Sequence, residues 1–226
     1  MLVKGWMTTD VVTIDENTSM MKAGQIMKEY NIHSLPVMKN GALVGIVTDR
    51  DVKEASPSKA TTLDVHELYY LLSELKVKDI MRKNPITVDP DETVEKAAVI
   101  MLENEVHALP VVNSKGALVG MITQGDVFRV LISITGIYRG GVQFAFNLPD
   151  RPGTIKEVAD VIRRHGGQMV SILTSYDSCE EDCRHVFIRI TDLPEDKLKA
   201  LTKELDENFI LLYTVKDVLK DVKRKA

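Results

Sequence analysis

The sequence predicts an α/β (α+β) chain in which two successive βαββα units precede a ferredoxin-like βαββαβ unit. The first observation is a repeat: GALVGIVTDRDV at 41–52 returns as GALVGMITQGDV at 116–127. Similarity continues upstream of both segments, which indicates two copies of one structural unit. The second observation is a change of pattern after about Gly141. The predicted boundaries are 1–60 for the first repeat, 61–78 for a linker helix, 79–136 for the second repeat and 141–218 for the C-terminal domain.

The composition excludes several classes of protein. The chain has 226 residues, of which 44% are hydrophobic and 27% charged, as in an ordinary globular protein. A net charge of -4 gives no electrostatic footprint for nucleic acid. No apolar run approaches the ~20 residues of a membrane span, and the N-terminus has no apolar signal core. We therefore expect a cytoplasmic protein without nucleic-acid or membrane partners.

Each repeat predicts strand, helix, strand, turn, strand and helix. Short β-branched runs favour the opening strands, and apolar residues at helical spacing follow them. The apolar runs on either side of 39–42 are typical of a hairpin. Asp51 and Asp126 are predicted to open the last helices. The opening runs are 12–14 and 86–88; the helix positions are Met20, Ala23, Ile26, Met27 and Tyr30, and Val94, Ala97, Ala98, Met101 and Leu102.

The segment between the repeats has two parts. ASPSKATTLD, at 55–64, has the composition of a loop. After it, Val65, Leu68, Tyr69, Leu72 and Leu75 are spaced for one face of a helix. We therefore predict a loop and then a helix that leads into the second repeat.

The C-terminal segment has a different order of elements. GVQFAFNL alternates as a half-buried strand does, and PDRPGT has turn composition. A helix is predicted to end at the basic and glycine-rich RRHGG. Strands at 170–176 and 185–190, a helix in LPEDKLKALTKELDEN and a strand in FILLYTV complete the split-βαβ order.

The repeated segments resemble a tandem pair of CBS domains. The resemblance is carried by MTTDVVTID…NIHSLPVMKNGALVGIVTDRDV and by MRKNPITVD…EVHALPVVNSKGALVGMITQGDV. It implies that the two units pair and form two pseudosymmetric clefts. In this family the Asp of Gly-x-x-Thr-x-x-Asp typically holds the ribose of an adenine nucleotide, with Thr or Ser beside it.

The residue types of this motif suit such a ligand. A Thr hydroxyl both donates and accepts hydrogen bonds, and an ionised carboxylate can accept two from a ribose diol. The candidates are Thr48 and Asp51 in one cleft and Thr123 and Asp126 in the other. An Asp at a helix start can equally serve only as a cap for backbone N–H groups, and that alternative stays open.

Other nucleotide contacts are suggested by position. Arg50 offers a guanidinium for phosphate, although Asp49 beside it could neutralise the charge. His33 and His107 precede Leu-Pro-Val, where CBS proteins often place a basic phosphate contact; the alternative is a half-exposed His on an edge strand. The resemblance implies further contacts at Leu35 and Leu109, and at Thr13 and Thr87 on the opening strands.

The C-terminal domain resembles an ACT domain, a regulatory module that often binds amino acids. FNLPDRPGTIKEVADVIRRHGGQMVSI carries the resemblance. It implies a site for an amino acid or small carboxylate at Asp150, Arg151, Gly153 and Gln168, because a helix N-terminus suits a carboxylate. Gln168 stands where amino-acid-binding members usually have Asn, so a turn that only stabilises the fold and a dimer is the alternative.

Cys179, Cys183 and His185 lie close together in the sequence beside three acidic residues. Thiolate, imidazole and carboxylate ligands suit zinc. The spacing C-x₃-C-x-H is not a standard zinc spacing, so we predict no metal and no required cofactor.

The order of two CBS units and one ACT unit resembles the acetoin utilisation protein B family. It implies a non-enzymatic regulatory sensor in signalling, with AMP, ADP, ATP or S-adenosylmethionine as regulatory ligands and an unknown metabolic protein as target. The alternatives are an enzyme or accessory factor of acetoin metabolism, or a ligand-free scaffold. We also expect a homodimer in which each domain type contacts its own kind.

Overall fold

The computed structural model describes residues 1–56, 74–177, 179, 181–216 and 219. The chain divides into two compact units, Met1–Phe128 and Arg129–Ala226. Most of the predicted linker helix at 61–78 lies outside the described residues. Within the described part, no helix is long and apolar enough to cross a membrane.

The first repeat has the predicted order of elements. Ser19 caps α1, because its hydroxyl accepts from the Lys22 N–H at 3.2 Å. Asn40 and Gly41 take φ values of 50° and 82°, as a two-residue hairpin turn requires. The elements are β1 (Ile14–Asp15), α1 (Met20–Glu29), β2 (Ser34–Lys39), β3 (Ala42–Thr48) and α2 (Asp49–Glu54).

The second repeat follows the same plan but lacks the predicted opening strand at 86–88. Only one parallel bridge forms there, between Val88 and Val111, and Pro85 and Pro90 close to it cannot donate to a ladder. Tyr30 and Leu102, predicted on the buried helix faces, are 56% and 74% exposed. The elements are α3 (Val77–Ile80), β4 (Arg82–Lys83), α4 (Val94–Glu103), β5 (Ala108–Val112), β6 (Leu118–Thr123) and α5 (Gln124–Thr135).

The strand pairing of each repeat is extended by the segment that opens the other repeat. β4, at the start of the second repeat, pairs with β3 of the first, so that the sheet order is β1-β2-β3-β4. Thr8, near the start of the first repeat, pairs with Met121 on β6 of the second. The two halves therefore depend on each other through exchanged backbone segments.

The C-terminal unit contains the predicted βαββαβ order. Its antiparallel sheet has the order β10-β7-β9-β8, the split-βαβ arrangement. Phe144, Phe146 and Leu148 of β7 are buried with Ile162, Leu201 and Leu205 of the two helices. The elements are β7 (Val142–Pro149), α6 (Thr154–Arg164), β8 (Met169–Ser175), β9 (Cys183–Ile190), α7 (Glu195–Asn208) and β10 (Ile210–Lys216).

Candidate functional site

Thr48 and Asp51 contact each other where β3 passes into α2. The Thr48 N–H and hydroxyl donate to Asp51 Oδ2 at 2.8 and 2.6 Å. The Asp51 N–H donates to Thr48 Oγ1 at 3.2 Å. The side chains therefore satisfy reciprocally the backbone donors at the start of α2.

Thr123 and Asp126 repeat this geometry in the second half. The Thr123 N–H and hydroxyl donate to Asp126 Oδ2 at 2.7 Å each, and the Asp126 N–H donates to Thr123 Oγ1 at 3.3 Å. Asp126 is 3% exposed, and the Asp51 side chain is 10% exposed. The sequence repeat thus corresponds to a repeated, nearly buried carboxylate.

The Asp residues do not open their helices as the sequence predicted. Thr48 is the N-cap of α2, and Asp51 is the third helical residue. The predicted helix starts were therefore late, because the local sequence does not distinguish a capping Thr from a capping Asp. The geometry agrees with a capping role, because one oxygen of each Asp carboxylate accepts hydrogen bonds at the start of the helix.

The two predicted histidines lie beside the helix starts. The backbone C=O of His33 accepts from the Asp49 N–H, and that of His107 accepts from the Gln124 N–H, at 3.0 Å in both cases. His33 Nδ1 lies 3.6 Å from Asp49 Oδ2, and Lys53 Nζ lies 2.8 Å from the same oxygen. The hydrogen bond from Lys53 lowers the pKa of Asp49, and the His33 contact adds to this effect.

In the second half, His107 Nδ1 lies 3.0 Å from the Gln124 amide oxygen. A neutral amide therefore stands where the first half has the Asp49 carboxylate. The two histidines occupy matching positions, but their partners differ in charge.

The other predicted contacts differ in their surroundings. Arg50 Nε lies 2.7 Å from Glu54 on its own helix, and this pairing raises the pKa of Arg50. Leu35 and Leu109 are fully buried, backbone included. Thr13 and Thr87 are exposed. Thr13 precedes β1, and β2 lies between β1 and β3 in the sheet.

Arg82 is a residue of this site that the sequence analysis missed. Its Nε lies 3.6 Å from Asp51 Oδ1, the oxygen opposite the one that Thr48 contacts. Arg82 lies 31 residues downstream of Asp51, on the strand that crosses from the second repeat. Only the inter-repeat pairing reveals this contact, and the local motif contains no signal for it.

At the predicted C-terminal site, Gly153 is the N-cap of α6 with φ of 95°. Arg184, which the sequence analysis did not select, lies 3.4 Å from Asp150 Oδ1 through Nη1. Its Nη2 donates to Thr154 Oγ1 at 3.2 Å. Arg151 instead forms a bidentate pair with Glu157 at 2.9 and 3.0 Å.

Gln168 does not join the Asp150–Gly153 turn within this chain. Pro149 pairs with Cys183 at the start of β9, whereas the Thr191 N–H, past its end, donates to the Gln168 carbonyl. At about 3.4 Å per residue, the length of β9 separates them by roughly 25 Å. A single site containing all four predicted residues is therefore not formed in one chain.

Cys179 and Cys183 are free, half-buried thiols. Cys179 Sγ lies 3.8 Å from the Ser175 carbonyl. Among the described residues, no group of three or more His, Cys, Asp or Glu side chains could hold a metal ion.

Comparison with known families identifies the two repeats. The model of the CBS domain matches residues 3–58 and 77–133, which are the two repeats with their strands and Thr–Asp pairs. A CBS domain-containing protein of Dictyostelium discoideum is 37% identical over 134 residues, which are 59% of this chain and 92% of that protein.

An inosine-5′-monophosphate dehydrogenase of Korarchaeum cryptofilum is 40% identical over 119 residues. The match covers 53% of this chain but only 22% of the dehydrogenase. The shared region is thus a small part of that enzyme.

Two solved structures resemble the same region. CBSX2 in complex with AMP is 31% identical, with a TM-score of 0.49, over 59% of this chain and 98% of that chain. A Vibrio cholerae protein proposed to act in acetoin utilization (AcuB) is 26% identical, with a TM-score of 0.50. That match covers 61% of this chain and 95% of that chain.

Proposed function

Because this chain belongs to the family of CBS-domain proteins, we propose that its tandem repeats bind adenosyl ligands and regulate a metabolic partner. Thr48 and Asp51 bind the ligand in the first half, and Thr123 and Asp126 bind it in the second. The protein is a sensor without catalytic activity of its own. Binding shifts a conformational equilibrium that the partner recognises.

The observation that carries this proposal is the repeated Thr–Asp geometry. In each half one carboxylate oxygen is fixed by the Thr N–H and hydroxyl, at distances between 2.6 and 2.8 Å. This fixed orientation prepares the carboxylate to accept further hydrogen bonds from a ribose diol, and such charge-assisted bonds are strong. The choice of adenine follows the family, and AMP, ADP, ATP and S-adenosylmethionine are the candidates.

The comparison with a related enzyme favours binding rather than catalysis by the repeats. In the related dehydrogenase the matched region is 22% of the enzyme, in keeping with an accessory role for such repeats.

Titration calorimetry with AMP, ADP, ATP, S-adenosylmethionine and GTP tests this function. The matched variants are Asp51→Asn and Asp126→Asn. An Asn oxygen still accepts from the capping Thr, whereas its amide group cannot accept from a diol. We expect each variant to lose one binding event, with a cost of about 1.5–3 kcal/mol, as for a hydrogen bond to a charged group.

Lys83→Thr is the control, because it removes an exposed charge outside the Thr–Asp pairs. It should leave the nucleotide affinities as they are. Unchanged affinity in the folded Asp51→Asn/Asp126→Asn double variant would reject the assignment.

For the C-terminal unit we propose the ACT family and a small carboxylate or amino-acid ligand at the Asp150–Gly153 turn. The support is the N-terminus of α6 together with the guanidinium of Arg184, which lies beside Asp150 and Thr154. Arg184→Gln should abolish the heat of binding of the amino acid found by screening. Retained binding in that variant would exclude the turn.

An accessory role in acetoin metabolism is the second candidate, and the Vibrio cholerae structure favours it. The match covers 95% of that chain but 61% of this one, so about two fifths of this chain lie outside the similarity. Turnover of acetoin by the pure protein would instead identify an enzyme and overturn the sensor function.

A further inference from the structure

One helix contains both a residue of a Thr–Asp pair and a contact of the C-terminal unit. α5 begins at Gln124 and ends at Thr135, and the boundary between the two compact units falls inside it, after Phe128. Asp126, in its first turn, belongs to the Thr–Asp pair of the second repeat. The corresponding helix of the first repeat, α2 (Asp49–Glu54), lies wholly within the first unit. Of the two Thr–Asp pairs, that of the second repeat therefore lies on the helix that enters the C-terminal unit.

The end of α5 is held by two donors from the C-terminal sheet. The Arg189 Nε–H donates to the Thr135 carbonyl oxygen at 2.7 Å, and the Ser171 hydroxyl donates to the same oxygen at 2.8 Å. Ser171 on β8 and Arg189 on β9 are direct partners in the strand ladder, so adjacent strands supply both donors. The last carbonyls of a helix have no partner within the helix, and a cation at that end also complements the helix dipole.

Packing and burial make this contact costly to break. Gly136 follows the helix with φ of 64°, the left-handed conformation that commonly ends a helix. A Cβ at Gly136 would clash with the Val170 side chain, so the backbone passes directly against β8. Arg189 is 3% exposed, and burial lowers the pKa of its guanidinium. Because a buried guanidinium needs its hydrogen bonds, a shift of Thr135 together with the sheet is favoured over their separation.

Resting on the proposed adenosyl-binding function, we propose that the second repeat regulates the C-terminal unit through α5, with Arg189 and Ser171 as positioning residues. A ligand that binds Asp126 shifts the start of the helix. The twelve residues of α5 form a rod about 18 Å long, so Thr135 carries the shift to β8 and β9. A ligand at Asp51 does not act by this route. By linkage, a ligand of the C-terminal unit changes the affinity at Asp126 by the same factor.

Hydrogen exchange of the full chain, followed by mass spectrometry, tests this proposal with AMP and, in parallel, with S-adenosylmethionine. Asp51→Asn leaves the second repeat as the binding site, and Asp126→Asn leaves the first. In the Asp51→Asn variant we expect a bound ligand to change the exchange rates of the β8 and β9 amides by roughly fivefold or more, as for typical coupling between sites. In the Asp126→Asn variant the ligand should leave these rates unchanged.

Two added substitutions test the contact at Thr135 itself. Ser171→Ala removes one donor with little change in size, and Arg189→Met removes the other without leaving a buried charge. Each should lower the effect of the ligand on β8 and β9, although calorimetry still detects ligand binding. Ser175→Ala is the matched control on the same strand, because the Ser175 hydroxyl accepts from the Asp177 N–H. It should preserve the effect.

The outcomes separate this inference from the proposed function. An effect on β8 and β9 that is equal in Asp51→Asn and Asp126→Asn, or that keeps its full size in Ser171→Ala, overturns the role of α5. Ligand binding to the second repeat without any change in β8 and β9 overturns it as well. In all these cases the adenosyl function stands. Absence of any adenosyl binding to the wild-type protein would reject the proposed function and this inference together.

Discussion

At the scale of single residues, the glycine of Gly-x-x-Thr-x-x-Asp has a role in packing. A Cβ at Gly45 would lie 2.5 Å from Met81 Sδ and 3.0 Å from the Arg82 carbonyl oxygen. A Cβ at Gly120 would lie at the same two distances from Met7 Sδ and the Thr8 carbonyl oxygen. Because the motif glycines have no side chain, they leave room for the segments that cross between the repeats.

Gly45→Ala and Gly120→Ala are expected to destabilise the unit of the two repeats by about 1–3 kcal/mol, as for overpacking in a core. The methionine sulfur can move, but the backbone carbonyl cannot do so without weakening the strand pairing. Chemical denaturation monitored by circular dichroism gives the free energy of unfolding.

Gly5→Ala is the matched control, because a Cβ added at Gly5 would have no other side chain or distant backbone atom within 4 Å. If Gly45→Ala proved as stable as Gly5→Ala, the packing role of the motif glycine would be wrong.

The sequence predicted part of this site and missed another part. The repeat itself identifies Thr48, Asp51, Thr123 and Asp126, because the same residues recur at the same spacing. Arg82 carries no such signal, since its partner is distant in the chain and its counterpart is Thr8. Within one chain Gln168 and the Asp150–Gly153 turn lie at opposite ends of β9, because they flank the two ends of the same helix.

At the scale of elements, one cluster joins the two helices of the C-terminal unit. Glu204 on α7 lies 2.6 Å from His165 Nε2 and 2.5 Å from Arg164 Nη2, both at the end of α6. These hydrogen bonds, with His165 contributing most and Arg164 next, lower the pKa of Glu204 from its ordinary value of 4.5.

A carboxylate with a lowered pKa stabilises the folded state above its unfolded pKa. That contribution is lost as the pH falls from the unfolded value through the lower folded value. Glu204→Gln should therefore melt below the wild type at neutral pH, and the difference should vanish once Glu204 is protonated in the folded protein. Thermal melts across this acidic range measure the effect.

Glu207→Gln serves as the control on the same helix, because Glu207 has only a 3.7 Å contact with Lys203. It should show a smaller difference at neutral pH. A Glu204→Gln deficit that persisted in acid would show that the charge of Glu204 is not its cause.

The order of elements was predictable because hydrophobic period and turn chemistry are local properties. This holds for the hairpin at Asn40 and Gly41 and for the βαββαβ order of the C-terminal unit. The exchange of β4 into the first repeat was not predictable, because strand pairing between repeats depends on long-range register.

At the scale of the whole molecule, exposed apolar surface favours self-association. Phe128 is 60% exposed on α5, and Ile210 is 64% exposed at the start of β10, an edge strand of its sheet. Exposed edges and apolar patches are liabilities that pairing with a second copy removes. We therefore predict a homodimer in which each domain type contacts its own kind.

Light scattering at micromolar protein should give twice the chain mass of 25.3 kDa. Phe128→Asp and Ile210→Asp should each weaken the dimer if both domain types contribute. A mass of one chain, with and without AMP, would contradict the dimer and the signalling that depends on it.

The central claim is that each repeat holds one adenosyl ligand through its Asp, and native mass spectrometry counts such ligands directly. The protein is equilibrated with AMP and adenosine together, and bound ligands of either kind are counted per chain. We predict two ligands for the wild type, one for Asp51→Asn, one for Asp126→Asn and none for the double variant. A folded double variant that still carried two ligands per chain would contradict the account.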